Sequence, residues 1–451
     1  MSLKHFGTDG IRGQYGSAVL NDEIAYRAGK AAVRVARERL SASDPLIVVG
    51  RDTRVSGVAL LKAFAAGVVG EGGTVLDLGV APTPCVAFAA RVSDAVLACS
   101  ITASHNPACD NGIKFFEGSG VKPSEALEQA LDDAVGDVSA NGFDAGAEVS
   151  LEDGSSLRHR YQEAVIAAFP PKLLVGKRVA MDCANGAMSE IAPAVFRELG
   201  ADLVVVADQP DGTNINAGVG SECPESLGAL YSVGDYDYGF AFDGDGDRLV
   251  MFDERGEKIA GEALLASLAI DAKDRSELPG DTLVTTVQSN LGLDAALKGR
   301  GIKTERTDVG DKHIARLMLR DGYQLGGEES GHLVVGKFAV TGDGLVAAVA
   351  MADAVGRSGA GVSSLASVYA AFPQISKAFR IVEKTPLPEC PKIAACIEKL
   401  DSEFGEDGRL LVRYSGTEPK IRLLVEARTD AAVKAAFDEL LAAVEADLEL
   451  V

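Results

Sequence analysis

The sequence predicts an α/β protein with four domains, of which three are related α/β domains and the last is a smaller α+β domain. A chain of 451 residues is too long for one hydrophobic core. A coarse pattern of strand, helix, strand and strand occurs three times, and short apolar runs that alternate with helical patterns are typical of α/β units. The pattern ends around Phe372 and Pro373, so the remaining residues are expected to form a domain of another kind.

Each repeat begins with a short apolar run, which predicts a buried strand, and continues with a loop and a helix-like stretch. Glycines near positions 72, 200 and 301 are typical of helix ends. The predicted first, second and third strands are 46–49, 74–78 and 95–99 in the first repeat, 178–181, 202–206 and 238–242 in the second, and 282–287, 302–306 and 323–325 in the third. Because ligands in open α/β sheets bind beyond the carboxyl ends of the strands, the loops after the third strands are the expected place for chemistry.

The end of each repeat gives the predicted domain boundaries, which fall near residues 150, 255 and 372. The Gly- and Asp-rich stretch 141–154 has the composition of a linker. The predicted domains are therefore 1–150, 151–255, 256–372 and 373–451. In the last of them we predict a strand at 379–382, a helix at 391–404, a hairpin-like pair at 409–413 and 420–426, and a closing helix from 430.

Composition restricts the class of partner. The formal net charge of −22 argues against general nucleic-acid binding, which needs clustered Lys and Arg. No apolar stretch approaches the roughly 20 residues of a membrane-spanning helix, and the N-terminus lacks the apolar core of a signal peptide. The seven cysteines are odd in number and form no Cys-x-x-Cys pair, which indicates a reducing compartment. We therefore expect a cytoplasmic protein whose partner is a small molecule rather than a nucleic acid or a membrane.

The loop after the third predicted strand of the first repeat contains a serine, Ser104, in the octet 100–107. A loop after a buried strand gives a hydroxyl rigid exposure, and a phosphorylated serine carries nearly two negative charges. His105 and Lys114 are close enough in sequence to reach such a phosphate. An ordinary turn explains the same Ser, His, Asn and Pro residues equally well, so both interpretations stay open at this point.

The second of these loops carries three aspartates, Asp243, Asp245 and Asp247, that alternate with glycines directly after an apolar run. We expect the alternation to point the three carboxylates the same way in an extended loop, and the glycines to let the backbone curl around an ion such as Mg²⁺. A calcium-binding EF-hand loop is the rival, since Glu254 falls at its twelfth position. However, Arg248 stands where that loop requires glycine, and a strand precedes the cluster. A magnesium site is therefore favoured over both the EF-hand and a solvated acidic turn.

The third loop places Glu328, Ser330 and His332 at alternate positions among glycines. Carboxylate and hydroxyl groups suit sugar hydroxyls, and a histidine can donate or accept a proton near neutral pH. Taken alone this signal is weak, and a glycine-rich turn is the default interpretation.

The fourth domain carries an anion-binding candidate at the turn 413–419. The hydroxyls of Ser415 and Thr417 and the amide of Gly416 can cradle an anion, with Arg413 and Arg422 to pair with it. A surface turn with basic flanks explains this segment equally well.

Two further segments carry arginines. Arg12 lies in the segment Phe6–Gly13, and Arg51 and Arg54 follow the first predicted strand. Structural ion pairs would explain all three.

Together these motifs resemble the α-D-phosphohexomutase family, in the same order along the chain, from about Phe6 to Val425. The resemblance implies mixed sheets, a central cleft among the four domains, Mg²⁺, and a hexose 1,6-bisphosphate as intermediate and activator. Within the family, the branch that acts on glucosamine phosphates is the most similar. The segments that carry this closer similarity are Phe6–Gly13, Val309–Lys312, Thr341–Leu345 and Ser415–Pro419. The sequence does not determine the oligomeric state, and a homodimer is compatible with it.

The resemblance also implies a role for each candidate residue. Ser104 would be the phosphoserine, and Asp243, Asp245 and Asp247 would bind Mg²⁺ together with its phosphate. Residues implied in proton transfer or in stabilising charge are Arg12, Lys114, Arg248 and His332. Residues implied in binding the sugar phosphate are Glu328, Ser330, Arg413, Ser415, Gly416, Thr417 and Arg422. This chain departs from the glucosamine branch at two positions. It has Glu329 where Gln is common in that branch and Tyr414 where Lys is common, and both positions concern substrate preference.

The implied reaction interconverts glucosamine 6-phosphate and glucosamine 1-phosphate through the 1,6-bisphosphate. Three alternatives remain at this point: a mutase for mannose or glucose phosphates, a sugar phosphatase that works through phosphoserine, and a non-catalytic binder of sugar phosphates.

Overall fold

The structure, a computed structural model, describes residues 3–7, 9–146, 148–339, 341–415 and 418–451. The chain forms two compact units, one of Met1–Gln288 with Ile302–Val368 and the other of Ser289–Gly301 with Tyr369–Val451. Three sheets belong to the first unit and one sheet to the second. Within the described residues, no helix has both the length and the apolar character that crossing a membrane requires.

The first sheet has six strands in the order β1-β5-β4-β2-β3-β6. Its strands are β1 Ile11–Gln14, β2 Leu46–Arg51, β3 Thr74–Val80, β4 Leu97–Ile101, β5 Asp110–Glu117 and β6 Glu152–Asp153, and the helices of this part of the chain are α1 Asp22–Arg39, α2 Ser56–Gly70, α3 Thr83–Arg91 and α4 Glu125–Asp137. Strands β2, β3 and β4 are parallel, whereas β5 returns antiparallel to β4.

The second sheet has five strands in the order β11-β10-β9-β7-β8. Its strands are β7 Arg178–Asp182, β8 Asp202–Val206, β9 Tyr238–Phe242, β10 Leu249–Phe252 and β11 Lys258–Ile259, and the helices of this part of the chain are α5 Ser155–Ala167, α6 Met188–Glu198, α7 Glu225–Gly228 and a 3₁₀ helix at Ala229–Ser232. Strands β7, β8 and β9 are parallel and β10 is antiparallel to β9, as in the first sheet.

The third sheet has four strands in the order β13-β12-β14-β15. Its strands are β12 Thr282–Thr286, β13 Lys303–Thr307, β14 Leu325–Gly327 and β15 Leu333–Val335, and the helices nearby in sequence are α8 Gly261–Asp274, α9 Gly292–Lys298, α10 Asp311–Asp321, α11 Gly344–Ser358, α12 Val362–Ala366 and a 3₁₀ helix at Pro279–Asp281. Of these helices, α9 belongs to the second compact unit.

The three sheets share one arrangement, which confirms the predicted repeat of related α/β domains. In each, three parallel strands lie in the order third, first, second, and a fourth strand pairs antiparallel with the third. The sequence pattern did not predict the fourth strand or the helices α3 and α10 that join second to third strands. Each predicted loop therefore connects the third strand to the fourth and emerges at the carboxyl end of the parallel strands.

The second unit has an antiparallel sheet in the order β16-β18-β17, with helices packed on it. Its elements are β16 Gln374–Arg380, β17 Gly408–Tyr414, β18 Lys420–Ala427, α13 Pro391–Phe404, α14 Asp430–Asp447 and a 3₁₀ helix at Leu387–Glu389. The predicted helices and hairpin are confirmed, but the strand predicted at 379–382 is wrong. That strand begins at Gln374 and ends at Arg380, because it pairs along its whole length with β18.

A buried tyrosine and aspartate connect α5 to α11. Tyr161 donates a hydrogen bond of 2.8 Å to Asp343, which also accepts one of 3.0 Å from the amide of Val346 and so caps α11. Burial raises the pKa of Asp343 to about 6, although its hydrogen bonds act in the opposite direction. The same turn places Gly342 against His332, where a Cβ atom would lie 2.1 Å from the ring.

The raised pKa of Asp343 predicts a specific dependence of stability on pH. A folded-state pKa above the ordinary value means that the folded protein holds the proton more tightly, so this carboxyl stabilises the fold at low pH. Its contribution is lost as the pH rises from about 4 to about 6, and it amounts to up to about 3 kcal/mol. The free energy of unfolding of the wild type, relative to Asp343→Asn, should fall over this window when measured by denaturant titration.

The exposed Asp235 provides a control, since Asp235→Asn should leave the pH profile of the wild type unchanged. A difference between the wild type and Asp343→Asn that does not vary with pH would contradict this account of the buried carboxyl.

Candidate active site

Ser104 lies in the loop between β4 and β5 and has a left-handed backbone conformation, with φ 52°. Side chains other than glycine rarely adopt this conformation, and residues that do often occupy functional sites. The amide of Ser104 donates a 2.9 Å hydrogen bond to Thr102, whose hydroxyl donates to Asp52 at 2.8 Å. The serine is buried, so its hydroxyl direction is fixed by the loop rather than by solvent.

Arg54 fixes the backbone of this loop. Its guanidinium is fully buried, pairs with Asp52 at 2.8 Å, and donates to backbone carbonyls of the loop. The accepting carbonyls are those of Ser104 at 3.0 Å, Asn106 at 2.8 Å, Asp110 at 2.9 Å and Pro107. Arg54 thus makes the structural ion pair that the sequence allowed and also shapes the Ser104 turn. Arg51, by contrast, is only half-buried and donates to the carbonyl of Asp52.

The serine loop and the aspartate loop meet. The hydroxyl of Ser104 donates a 2.6 Å hydrogen bond to a carboxylate oxygen of Asp243, across 139 positions of sequence. The side chain of Asn216 donates to the carbonyl of Ser104 at 2.8 Å and ties the same two parts of the chain together. Gly244 is required here, since a Cβ atom would lie 2.6 Å from that carbonyl oxygen.

The three aspartates form a compact buried cluster. One oxygen from each of Asp243, Asp245 and Asp247 lies within 4.8 Å of the others. The loop is not extended but curls, as expected of its glycines, into a turn in which the amide of Gly246 donates to the carbonyl of Asp243 at 3.1 Å. The carboxylates converge through this turn, and the φ of Gly246 is 74°.

The donor set of this cluster fits a hard divalent cation. The Oδ1 atoms of Asp245 and Asp247 are buried and have no hydrogen-bond partner among the described residues. Burial and the charges of Asp247 and Asp245 raise the pKa of Asp243 well above its ordinary value. Oxygen-rich clusters with such mutual repulsion are stabilised by Mg²⁺ or a similar ion. These residues could therefore hold a metal ion beside the Ser104 hydroxyl.

Lys114 on β5 is a buried cation directly beside the aspartates. Its ammonium lies 2.9 Å from Asp245, 3.8 Å from Asp247 and 3.2 Å from Asp9. Burial opposes the charge, but these carboxylates raise the pKa of Lys114 well above its ordinary value. The side chain therefore stays positively charged at neutral pH. Thr83, which the sequence did not single out, donates to Asp245 at 2.8 Å.

His332 is buried between two carboxylates. Its Nδ1 lies 3.8 Å from Asp247 and its Nε2 lies 3.3 Å from Asp311, although the latter contact lacks hydrogen-bond geometry. Burial opposes protonation, but Asp311 and Asp247 together raise the pKa of His332 to about 9. A role for His332 in proton exchange therefore stays a prediction.

Two arginines lie at the rim of the cluster. The backbone amide of Arg248 donates to Asp243 at 3.2 Å, and its guanidinium pairs with Glu222 at 3.1 Å. Arg12 on β1 is partly exposed and lies 3.9 Å from Asp9. Both side chains are thus accessible to an anionic ligand near Ser104.

The third loop is a tight turn between β14 and β15. Glu328 is half-buried and accepts a 3.0 Å hydrogen bond from the amide of Gly310, whereas Ser330 is exposed. Alternate positions therefore differ in environment here, because the chain turns instead of extending. Burial raises the pKa of the neighbouring Glu329.

The candidate anion site of the second unit lies at the turn between β17 and β18. Arg413 and Arg422 are direct cross-strand partners, and Arg422 is exposed. Ser415 is buried, and its carbonyl accepts a 2.6 Å hydrogen bond from Lys384. Gly416 and Thr417, the other two predicted ligands of this turn, lie outside the described residues.

Comparison with known proteins gives matches to all four domains of one family along the chain. The matches are to phosphoglucomutase/phosphomannomutase alpha/beta/alpha domain I over residues 3–141, domain II over 159–256, domain III over 260–372 and the C-terminal domain over 360–443.

Curated relatives match over nearly the whole chain. A phosphoglucosamine mutase of Rubrobacter xylanophilus is 44% identical, with 93% of this chain and 92% of the relative covered. A phosphoglucosamine mutase of Symbiobacterium thermophilum is 42% identical, with 93% and 94% covered. One from Cereibacter sphaeroides is 40% identical, with 99% of each chain covered.

Solved structures share the fold. A phosphoglucomutase/phosphomannomutase family protein of Burkholderia thailandensis superposes with a TM-score of 0.82 at 25% identity, covering 100% of this chain and 99% of that one. The N-acetylphosphoglucosamine mutase of Aspergillus fumigatus, in complex with GlcNAc-6P and magnesium, has a TM-score of 0.68 at 16% identity, with 94% and 96% covered.

The buried cluster predicts that Asp245→Asn weakens metal binding. Because Asn is neutral and nearly isosteric, the change removes one charge without opening a cavity, and we expect the dissociation constant for Mn²⁺, used as a paramagnetic probe, to rise at least about tenfold. Asp235→Asn, in an exposed position of the same part of the chain, is the matched control. Equal Mn²⁺ affinity in the two variants would refute the metal assignment.

Proposed function

The chain belongs to the phosphoglucomutase/phosphomannomutase family, and we propose that it interconverts glucosamine 6-phosphate and glucosamine 1-phosphate through a phosphorylated Ser104. The observation that carries the proposal is the buried 2.6 Å contact between the hydroxyl of Ser104 and Asp243. The choice of glucosamine phosphates is supported by relatives at 40–44% identity that are named phosphoglucosamine mutase.

Asp243, Asp245 and Asp247 would hold Mg²⁺ in this account, since their oxygens lie together and two of them have no other partner among the described residues. When bound, the ion supplies positive charge that neutralises a phosphoryl group during its transfer.

The residues of the chain would carry out the transfer as follows. The 1-hydroxyl oxygen of the sugar attacks the phosphorus on Ser104, so that a bond to the sugar oxygen forms as the bond to Ser104 Oγ breaks. The sugar hydroxyl loses its proton, and Oγ gains one to become a free hydroxyl. His105 has a ring nitrogen 3.2 Å from Oγ, which places it within reach of this proton.

Two buried cations would stabilise the charge of the phosphoryl group in flight. Lys114 and His332 flank the aspartate loop, and neighbouring carboxylates raise the pKa of each. Preorganised charges in a buried site stabilise a transition state more than solvent does. Burial of Ser104 would also limit hydrolysis of the phosphoserine by water.

The bisphosphate formed in the first step would turn over and return its 6-phosphate to Ser104, which releases the 1-phosphate. One site must then hold whichever phosphate is not reacting. We assign this task to Ser415, Gly416 and Thr417 with Arg413 and Arg422, because the two arginines are cross-strand partners beside the turn. Glu328 and Ser330 would bind the sugar hydroxyls, and Arg12 and Arg248 would support the phosphate on Ser104.

The proposal extends to where the reaction occurs. The odd number and wide spacing of the seven cysteines favour a reducing compartment, so we place the enzyme in the cytoplasm.

The predicted domain boundaries near 150, 255 and 372 also stay part of the proposal.

Replacement of the nucleophile provides the central kinetic prediction. Ser104→Ala removes the group that carries the phosphate, so kcat/KM for the mutase reaction should fall at least about a thousandfold while the fold is retained. Ser43→Ala, at an exposed position of the same domain, should keep wild-type rates. A Ser104→Ala enzyme that turns over within tenfold of the wild type would exclude the phosphoserine mechanism.

Substrate preference provides a separate test. The 6-phosphates of glucosamine, glucose and mannose, each with a trace of the matching bisphosphate, should give the highest kcat/KM with glucosamine. A higher value with glucose or mannose would reassign the substrate, and inorganic phosphate as the main product would indicate a phosphatase.

A further inference from the structure

A closed ring of six side chains, in which carboxylates alternate with Lys and His, lies beside the aspartate loop. Three of its members are the site residues Asp247, Lys114 and His332, and the other three are Asp9, Lys122 and Asp311. The contacts around the ring are Asp247–Lys114 3.8 Å, Lys114–Asp9 3.2 Å, Asp9–Lys122 2.6 Å, Lys122–Asp311 2.7 Å, Asp311–His332 3.3 Å and His332–Asp247 3.8 Å.

The ring draws on all three sheets of the first unit. Lys114 lies on β5, Lys122 follows that strand, and Asp9 precedes β1, so these three belong to the first sheet's part of the chain. Asp247 comes from the loop after β9. The ring closes only through Asp311, the first residue of α10, and His332, which precedes β15. Its geometry therefore depends on the correct placement of the third sheet's loops against the first.

Within the ring, Lys122 links Asp9 and Asp311, the two carboxylates that lie outside the aspartate loop. Its ammonium contacts both Asp9 and Asp311, and its side chain is only 14% exposed. Each of these two carboxylates contacts Lys122 and one of the site residues, and Asp9 also lies 3.9 Å from Arg12. One oxygen of Asp9 contacts Lys122 and the other contacts Lys114, while Asp311 contacts Lys122 and His332. A buried ammonium is retained at low cost only when it is paired in this way.

We propose that Lys122, acting through Asp9 and Asp311, is a positioning residue that holds Lys114 and His332 at the phosphate on Ser104. The inference rests on the proposed function, since it assigns those two cations to the transferring phosphoryl group. Without Lys122, Asp9 and Asp311 would each have one cation fewer, and both carboxylates would draw Lys114 and His332 away from the reacting group.

The structure contains a matched ion pair that joins the same two surfaces outside the ring. Arg316, five positions after Asp311 on α10, pairs with Glu125 at 2.8 Å and donates to the carbonyl of Pro123 at 3.2 Å. Its loss would remove a cation between α10 and α4 and a hydrogen bond to the carbonyl of Pro123, whereas all six contacts of the ring are made by other side chains. Arg316→Met is therefore a control for a purely structural role.

The test compares Lys122→Met, Lys122→Arg and Arg316→Met in the full chain with Mg²⁺ present. We expect Lys122→Met to lower kcat roughly 10- to 100-fold with KM changed less than about threefold, because substrate contacts remain while charge positioning is lost. Lys122→Arg should recover most of this loss, and Arg316→Met should stay within about twofold of the wild type. An equal loss in Arg316→Met and Lys122→Met, or no loss in Lys122→Met, would overturn the proposal.

A second measurement does not depend on turnover. Hydrogen exchange should accelerate in the 328–332 turn of Lys122→Met and not of Arg316→Met, because the ring restrains His332; unchanged exchange in both would also overturn the proposal. If Lys122→Met does not fold, the isosteric Asp311→Asn takes its place in both experiments. We then expect the same loss of kcat and the same faster hydrogen exchange in the 328–332 turn. A wild type without mutase activity would refute the proposed function alone. Hydrogen exchange would then still test whether Lys122 restrains His332 through the ring.

Discussion

The hydrogen bond from Ser104 to Asp243 is the contact on which the rest of the site depends. It joins the end of a strand in the first sheet to the end of a strand in the second, and both ends are buried. For the two loops to meet, Gly244 has to lack a side chain and Ser104 has to adopt a left-handed conformation. Arg54 and Asn216 maintain this arrangement through the carbonyl of Ser104.

Charge balance explains how so many carboxylates can be buried together in an acidic protein. The formal net charge is −22, yet Lys114, Lys122 and His332 are placed where the acidic groups are densest. In a region of low dielectric each cation stabilises its neighbours strongly, and an unpaired charge would be costly. Arg12 and Arg248 at the rim of the cluster add positive charge that can pair with a phosphate despite the overall charge.

The sequence alone predicted the parts of the site that lie directly after apolar runs. The strand that ends at Phe242 and the aspartates that follow it could be located because a buried strand and a carboxylate cluster are both visible in one short segment. The roles of Asp9, Lys122 and Asp311 could not be predicted, since each is an ordinary charged residue until the sheets bring the three together. Arg54 was open to two interpretations for the same reason, because its carbonyl partners depend on the turn at Ser104. The strand at Gln374–Arg380 was misplaced because its limits follow from its pairing partner rather than from its own residues.

The position of the phosphoryl group on the protein tests the central claim most directly. Intact mass of the purified protein, followed by peptide mapping, should show one phosphoryl group on Ser104, and phosphatase treatment should remove both the added mass and the activity without bisphosphate. A phosphoryl group on another residue, or an enzyme that is fully active without any phosphate on Ser104 and without bisphosphate, would contradict the account.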